Sequence, residues 1–176
     1  LGSMDVNVNT LTLEGYKARI VAALSASGDA NITLQNAFTN NGAVHSSDNL
    51  TFIAPAITNS NTGGFSALNA LDLQATNTDL INSGALYAGQ TLKASATGNL
   101  ENLAGTGTID SDGTIELSSG ATFKNTSTIN AQSDIAIDAL TFRNEVPGGG
   151  AQTYTSTVTD TMTVSASFAW PTDATA

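Results

Sequence analysis

One short motif recurs along the chain at nearly constant spacing. It consists of an apolar residue, any residue and then asparagine, and its six copies lie at residues 38–40, 57–59, 80–82, 100–102, 123–125 and 142–144. Successive asparagines are 19, 23, 20, 23 and 19 residues apart. A period of about 21 residues is too short for a repeat made of two helices and is typical of a solenoid built from short strands.

Two further strand-like stretches recur within each period. Both alternate apolar and polar residues, as half-buried strands do. The stretch after the asparagine lies at residues 42–46, 63–67, 84–88, 107–111 and 127–131, and the later one lies at 50–52, 71–73, 92–94, 115–117 and 135–137. Residues 24–26 and 32–34 fit the same two positions upstream. The extra residues of the longer periods fall at the corner after the asparagine, where a loop can grow without disturbing the strands.

Three short strands per period predict an all-β fold, a parallel β-solenoid of about six coils. The apolar positions of each coil are expected to face a common core. In one coil these are Leu80, Leu86 and Leu92, whereas Ile81 is expected to point outward. No pattern typical of an amphipathic helix is evident.

The recurring asparagines are predicted to align in one column. Amides stacked coil upon coil can hydrogen-bond to one another along the axis and to the local backbone. We therefore interpret them as a structural ladder, in preference to a ligand-binding site. The ladder comprises Asn40, Asn59, Asn82, Asn102, Asn125 and Asn144.

Charged residues also fall into columns when the coils are aligned. Asp72, Lys93 and Glu116 occupy one outward column, and Glu101, Lys124 and Arg143 occupy another. The first column would place a cation between two anions, and in the second Glu101 would meet Lys124, with Arg143 one coil further. The alternative is that they are ordinary solvated surface charges, because exposed ion pairs contribute only about 0–1 kcal/mol.

The composition leaves little material for catalysis or metal binding. The chain has no cysteine, one histidine and 11% charged residues, which excludes disulfides and thiolate metal sites. Fifteen acidic and five basic side chains give a net charge of −10, which argues against a nucleic-acid partner. We predict no catalytic residue, no metal site and no cofactor.

Two local motifs have both a functional and a structural interpretation. Residues 110–113, Asp-Ser-Asp-Gly, resemble the start of a calcium loop, but the ligands that such a loop needs at its first and last positions are missing. A turn at a β-corner is the favoured interpretation. His45 is predicted to be an outward strand residue that lacks the partners of a catalytic triad.

The repeat resembles that of the filamentous haemagglutinins. The pattern is clearest in residues 80–88 with 92–94, Leu-Ile-Asn-Ser-Gly-Ala-Leu-Tyr-Ala and Leu-Lys-Ala, and it covers about residues 20–145. This repeat occurs in the large exoproteins of bacterial two-partner secretion, including filamentous adhesins and contact-dependent growth inhibition proteins. The resemblance implies a right-handed β-helix that forms part of a long surface rod, and it implies no catalytic residues.

The same resemblance implies a location and partners. A secreted or cell-surface protein of a Gram-negative bacterium is expected, exported by an outer-membrane two-partner-secretion transporter. Candidate partners of the full-length protein are a receptor or glycan on a host or target cell. The fragment itself is expected to be monomeric.

The chain divides into three parts in the sequence. Residues 1–4 look like a cloning remnant, residues 5–145 form the predicted repeat domain, and residues 146–176 form a carboxy-terminal extension. The extension opens with Pro147 and three glycines and then alternates from Gln152 to Trp170. A single strand of that length is unusual, so a β-hairpin turning near Asp160 is expected, folded over the end or flank of the solenoid.

Three classes of function are compatible with these features. A structural rod, which carries an adhesive or toxic tip away from the cell, is favoured because the ionisable groups do not converge. An adhesin that binds a carbohydrate or receptor would need exposed aromatic residues, and Tyr87 is the clearest one within the coils. The threonine-rich face of the extension is a second adhesive candidate. A β-helical polysaccharide-degrading enzyme is the least favoured, because it would need carboxylates and a base on one face.

Overall fold

A computed structural model describes residues 11–15, 23–145 and 163–167 of the protein. Within them the chain is all-β and winds into a solenoid of about six coils with three strand positions per coil. We call these positions the first, second and third faces. They are numbered in the order in which the chain passes through them within one coil, starting with the strand that ends in asparagine. Among these residues there is no helix whose length and apolarity would let it cross a bilayer.

The first face carries the asparagines. Its strands are β4 (Phe38–Asn40), β7 (Ile57–Asn59), β10 (Leu80–Asn82), β13 (Leu100–Asn102) and the carboxy-terminal parts of β15 (Thr114–Asn125) and β17 (Ile135–Asn144). The second face consists of β2 (Ala23–Ala26), β5 (Ala43–Ser46), β8 (Gly64–Ala67), β11 (Ala85–Ala88), β14 (Thr108–Ser111) and β16 (Thr128–Ala131). The third face consists of β1 (Leu11–Gly15), β3 (Ala30–Leu34), β6 (Leu50–Ala54), β9 (Ala70–Ala75), β12 (Thr91–Ala96), the amino-terminal parts of β15 and β17, and β18 (Thr163–Ser167).

Every pairing between these strands is parallel and joins equivalent positions of neighbouring coils. Leu80, for example, lies beside Ile57 of the preceding coil and Leu100 of the following coil. The predicted parallel solenoid is therefore confirmed. The insertions that the spacing predicts after the asparagine are also present, as turns around residues 61–62 and 104–106. Gly105 in the second turn has a φ of 109°, a conformation that glycine adopts without steric cost.

The core fills the inside of all three faces. Phe38, Phe52 and Phe65 come from different faces and meet there, with ring centroids 4.6 Å apart for the first two and 5.1 Å for the last two. Leu80, Leu86 and Leu92 are at most 1% exposed. Ile81 lies between buried neighbours in an outward position and is partly exposed, so the predicted inside and outside of this coil are confirmed.

The two long strands near the carboxy-terminal end differ from the sequence expectation. β15 and β17 each run through the corner that separates the third face from the first, where earlier coils have a break between two strands. Their pairing shifts register between Ser119 and Thr122, because β17 has one residue fewer at this corner. The shift brings the asparagines back into line beyond it.

The described part of the carboxy-terminal extension is β18. It adds to the third face parallel to β17, with Ile137 beside Val164 and Thr141 beside Ser167. The predicted hairpin turn near Asp160 and the arm before it lie outside the described residues. The boundaries predicted at residues 4 and 145 remain predictions.

Candidate functional site

The six asparagines form a continuous hydrogen-bonded chain along the solenoid. The Nδ2 of each of the first five donates to the Oδ1 of the asparagine one coil further towards the carboxy terminus. The donor–acceptor distances are 3.0 Å from Asn40 to Asn59, 2.8 Å from Asn59 to Asn82, 2.9 Å from Asn82 to Asn102, 2.9 Å from Asn102 to Asn125 and 2.9 Å from Asn125 to Asn144. The first five side chains are buried, and Asn144 at the end is partly exposed.

A second donor hydrogen of four of the amides joins the first face to the second. The Nδ2 of Asn59 also donates to the carbonyl of Ala85 in the next coil, and Asn40, Asn82 and Asn102 make the equivalent bond. Asn125 bonds instead to the carbonyl of Ser127 in its own coil; among the described strands, β16 of that coil is the last on the second face. Among the described residues no buried side-chain nitrogen or oxygen lacks a partner, which is the condition under which a buried polar column stabilises a fold.

Glycine at the next corner position makes room for the asparagine chain. A Cβ added at Gly63 would lie 2.2 Å from the Oδ1 of Asn59, and one at Gly84 would lie 2.1 Å from the carbonyl oxygen of Gly63. Gly107 is similarly confined by the Leu103 carbonyl oxygen at 2.3 Å. These glycines are therefore required by close approach of the backbone.

A second polar stack stands at the corner between the second and third faces. The Nδ2 of Asn49 donates to Asp29 at 2.9 Å, Asn69 donates to Asp48 at 2.5 Å, and the Nε2 of Gln90 donates to Asn69 at 3.1 Å. Sequence reasoning missed this stack. The signal was present as an amide or carboxylate before the third-face strand of successive coils, at Asp29, Asp48, Asn49, Asn69 and Gln90.

Tyr87 lies in an outward column of the second face that contains polar side chains only. The register aligns Ser25, His45, Ser66, Tyr87, Asp110 and Asn130 in this column. The Tyr87 hydroxyl donates to Oδ2 of Asp112 at 2.7 Å. This hydrogen bond, with smaller contributions from desolvation and the charges of Asp112 and Asp110, raises the pKa of Tyr87 above its ordinary 10.0.

The Asp-Ser-Asp-Gly segment lies at the bend between β14 and β15. Asp110 accepts a hydrogen bond from the Nδ2 of Asn130 at 3.0 Å, and Asp112 accepts one from the Nε2 of Gln132 at 3.0 Å as well as the Tyr87 hydroxyl. Both carboxylates are thus bonded to neutral donors of neighbouring coils. No group of three or more histidine, cysteine, aspartate or glutamate residues suited to a metal ion occurs in the part of the chain that the structure describes.

The third face has a shallow groove of about 510 Å³ on its outer surface. Its lining includes serine, alanine, leucine and isoleucine residues together with the polar residues Asp72, Gln74, Lys93, Glu116 and Asp138. The Lys93 ammonium lies 2.8 Å from a Glu116 carboxylate oxygen, and this contact raises the pKa of Lys93 above its ordinary 10.5. The Gln74 amide donates to Asp72 at 2.8 Å. Four of these polar side chains are therefore joined in two pairs, Lys93 with Glu116 and Gln74 with Asp72.

The comparison with known families decides the assignment. The haemagglutinin repeat family matches residues 2–54, 47–104 and 101–166, which together span most of the chain. The chain belongs to this family. No curated protein and no solved structure matches it. Haemagglutinin repeats form filamentous, adhesin-like rods, are typically secreted or exposed at the cell surface, and are structural rather than catalytic.

The charged columns of this haemagglutinin repeat lie as predicted, but one ion pair differs. Glu101, Lys124 and Arg143 occupy successive coils of the first face. The Lys124 ammonium lies 3.6 Å from Glu145, and the Arg143 guanidinium pairs with the same carboxylate. Glu145 follows the last asparagine at the corner, so the two cations of neighbouring coils share an anion that column alignment alone did not include.

The histidine of this haemagglutinin repeat, His45, is hydrogen-bonded to the neighbouring coil. The His45 Nδ1 lies 2.9 Å from the Ser66 hydroxyl, which is the distance of a nucleophile and its base. A triad also needs an acid that orients the imidazole, and the neighbours of His45 in its column are Ser25 and Ser66. The pair forms a contact between two neighbouring coils.

Proposed function

We propose that this haemagglutinin repeat is a spacer within a secreted filamentous exoprotein, which carries an adhesive or toxin-delivering tip away from the producing Gram-negative cell. The observation that carries the proposal is the asparagine chain, which continues through six coils without a break while the core columns stay in register. A rod needs the same contacts in every coil along its axis, whereas an active site needs a local group of residues that differs from the repeat.

The distribution of polar groups supports the same function. Carboxylates, amides and hydroxyls are bonded mainly to groups one coil away, as with Lys93 and Glu116 or Asn130 and Asp110. Contacts of this kind join neighbouring coils and resist bending and unwinding, since in a solenoid each repeat contacts only its neighbours. The absence of cysteine suits passage through an outer-membrane two-partner-secretion transporter in an unfolded state, because no disulfide can form on the way.

The spacer function is tested by removing one whole coil, residues 80–99, from the full-length exoprotein. The variant should still be displayed and should still attach to its target cell, since only the length of the rod changes. A matched control deletes residues 80–89, which removes two strands of a coil and breaks the register; it should abolish display. If the whole-coil deletion is displayed and attachment is lost, the spacer function is wrong for this segment.

The column around Tyr87 supports a second candidate function, an adhesive surface for a glycan or a cell-surface receptor. Tyr87 is partly exposed and stands among hydroxyl, amide and carboxylate groups, a combination that can stack on a sugar ring and bond its hydroxyls. Attachment should then be lost in Tyr87→Ala and in the whole-coil deletion. It should be retained in Ile81→Ala, which changes a partly exposed residue on the first face of the same coil.

A further inference from the structure

The chain contains one Asn-Gly pair, Asn41-Gly42, at the corner that follows the first member of the asparagine chain. Asn41 is half-buried and Gly42 is buried. An asparagine that precedes glycine is prone to lose its side-chain amide, because the glycine nitrogen has no neighbouring Cβ to hinder its attack on the side-chain carbonyl. In the coil of Asn82 the equivalent pair is Ser83-Gly84, which has no side-chain amide to lose.

The nitrogen that would attack is hydrogen-bonded in the folded protein. The Gly42 N–H donates to the Oδ1 of Asn40 at 3.2 Å. The orientation of Asn40 is fixed in turn, because its Nδ2 donates to the Oδ1 of Asn59 at 3.0 Å and to the carbonyl of Gly64 at 3.1 Å. The nitrogen must lose its proton before it attacks, and a hydrogen bond donated by the N–H favours the protonated form. The buried asparagine chain therefore holds this group in its unreactive form.

The backbone carbonyls of both residues are bonded to the following coil. The Thr62 hydroxyl donates to the Asn41 carbonyl at 3.1 Å, and the Gly64 N–H donates to the Gly42 carbonyl at 2.9 Å. Closing a ring between the Gly42 nitrogen and the Asn41 side chain moves the peptide unit that joins the two residues. These hydrogen bonds oppose that movement, so the corner must open before the reaction can proceed.

We propose that Asn41 is a deamidation site, which the hydrogen bonds of this corner, above all that from Gly42 to Asn40, keep unreactive in the folded solenoid. In the reaction a bond forms between the Gly42 nitrogen and the Asn41 Cγ, and the bond from Cγ to Nδ2 breaks. The amide group leaves as ammonia with the proton of the Gly42 nitrogen, and a cyclic succinimide remains. Water then opens the ring at either carbonyl, which gives aspartate or isoaspartate at residue 41.

Either product changes the corner. Aspartate adds a negative charge to a chain whose net charge is already −10. Isoaspartate puts the side-chain methylene into the backbone and lengthens the connection between β4 and β5, both of which are held in register with the next coil. The fraction of Asn41 converted therefore measures the time that this corner spends open, and a chain that folds quickly keeps its amide.

The site is tested by incubating the chain in mildly alkaline buffer with and without denaturant. Peptide mapping by mass spectrometry follows the conversion of Asn41, and labelling with protein isoaspartyl methyltransferase identifies isoaspartate. Conversion should be several-fold slower in the folded chain than in denaturant. Asn41→Ser, which copies the corner at Ser83, should give no labelled product in this peptide. Equal rates in the folded and denatured chain, or no conversion in denaturant, would overturn the proposal.

The role of Asn40 is tested with two variants that each remove one amide of the asparagine chain. Asn40→Ala removes the acceptor of the Gly42 N–H and should accelerate conversion several-fold under folding conditions. Asn102→Ala, three coils away, removes an equivalent amide and should leave the rate close to that of the unchanged chain. Equal acceleration in both variants would show that overall stability, and not the bond to Asn40, protects the site.

A third variant decides the outcome if circular dichroism shows that Asn40→Ala does not fold. Thr62 is exposed, and Thr62→Val removes the hydroxyl that is bonded to the Asn41 carbonyl while the buried asparagine chain stays intact. This variant should remain folded and should convert faster than the unchanged chain. An unchanged rate would contradict protection by the hydrogen bonds of the corner.

Discussion

The Nδ2 of Asn59 donates to the Oδ1 of Asn82 at 2.8 Å, and both side chains are completely buried. The same direction of donation holds at all five steps of the chain of amides. The amide dipoles therefore point the same way along the axis, and each bond polarises the next. Such a chain specifies register, because a coil shifted by one residue would turn its asparagine outward and leave two buried partners unsatisfied.

Asn82→Ala should be strongly destabilising. The substitution removes the acceptor of the Asn59 Nδ2 and the donor to the Asn102 Oδ1 in one step. A buried polar group without a partner costs about 1–3 kcal/mol, and here two are affected. The free energy of unfolding, measured by denaturant titration, should fall by at least the cost of one unpaired buried group, about 1–3 kcal/mol.

The matched control is Asn130→Ala. Asn130 also donates across coils, to Asp110 at 3.0 Å, but it is exposed and water can replace the lost bond. Its removal should change the free energy of unfolding by about 0.5 kcal/mol or less. A larger loss for Asn130→Ala than for Asn82→Ala would contradict the structural role of the buried chain.

Two glycines of one corner region should respond in opposite ways to alanine. At Gly84 a Cβ would lie 2.1 Å from the Gly63 carbonyl oxygen and 2.3 Å from that of Ser60, so the backbone must move. We expect Gly84→Ala to cost about 1–3 kcal/mol. At Gly64 the nearest atom would be 3.9 Å away, and Gly64→Ala should be neutral or slightly stabilising because strand glycine is entropically costly. Thermal melting of both variants measures the difference, and equal shifts would contradict it.

The sequence predicted those features that depend on spacing alone. Parallel coils in register must align equivalent residues, so the position of Asn40, the outward place of Ile81 and the charged columns all follow from the period. The inward position of Leu80 follows in the same way from alternation. These predictions needed no knowledge of side-chain conformation.

Contacts that depend on side-chain reach were not predictable from the period. Lys124 pairs with Glu145 at the corner of the next coil, and Tyr87 bonds Asp112 rather than its column neighbour Asp110. In both cases a long side chain passes its aligned neighbour and meets a group at a corner. The continuous course of β15 through a corner was also missed, because corner geometry depends on local loop length.

The hydrogen bond from Tyr87 to Asp112 should be visible in an alkaline titration. The raised pKa means that the fold favours the protonated phenol, so this contribution is present below pH 10.0 and is lost as the pH rises through the folded-state pKa. Asp112→Asn should lower the pKa of Tyr87 towards its ordinary value, because both the hydrogen bond to a carboxylate and its charge are removed. The tyrosinate absorbance of each protein, with that of its Tyr87→Phe derivative subtracted, isolates this group from the other two tyrosines. An unchanged titration in Asp112→Asn would contradict the assignment.

The inside and outside of one coil can be tested with two large-to-small substitutions. Leu86 is completely buried, and Leu86→Ala should cost about 2–5 kcal/mol through lost transfer energy and the cavity left behind. Ile81→Ala, on the outward side of the same coil, should cost much less. If denaturant titration shows a larger loss of unfolding free energy for Ile81→Ala than for Leu86→Ala, the inward and outward positions of this coil are the reverse of those described.

Removal of one whole coil from the isolated chain should leave a shorter folded solenoid. Deletion of residues 80–99 joins Asp79 to Leu100, which occupies the same position as Leu80, so the amide of Asn59 can bond that of Asn102.

The deletion also removes Lys93, which separates Asp72 from Glu116, and brings these two carboxylates side by side on the third face. Like charges in adjacent strands are destabilising, and Glu116→Lys in the shortened chain should restore part of the lost melting temperature. In the chain without the deletion, Glu116→Lys should lower the melting temperature, because Lys93 then has a cation as its neighbour. If Glu116→Lys changes the melting temperature in the same direction in the shortened chain and in the undeleted chain, the coils on either side of the deletion do not pair in register.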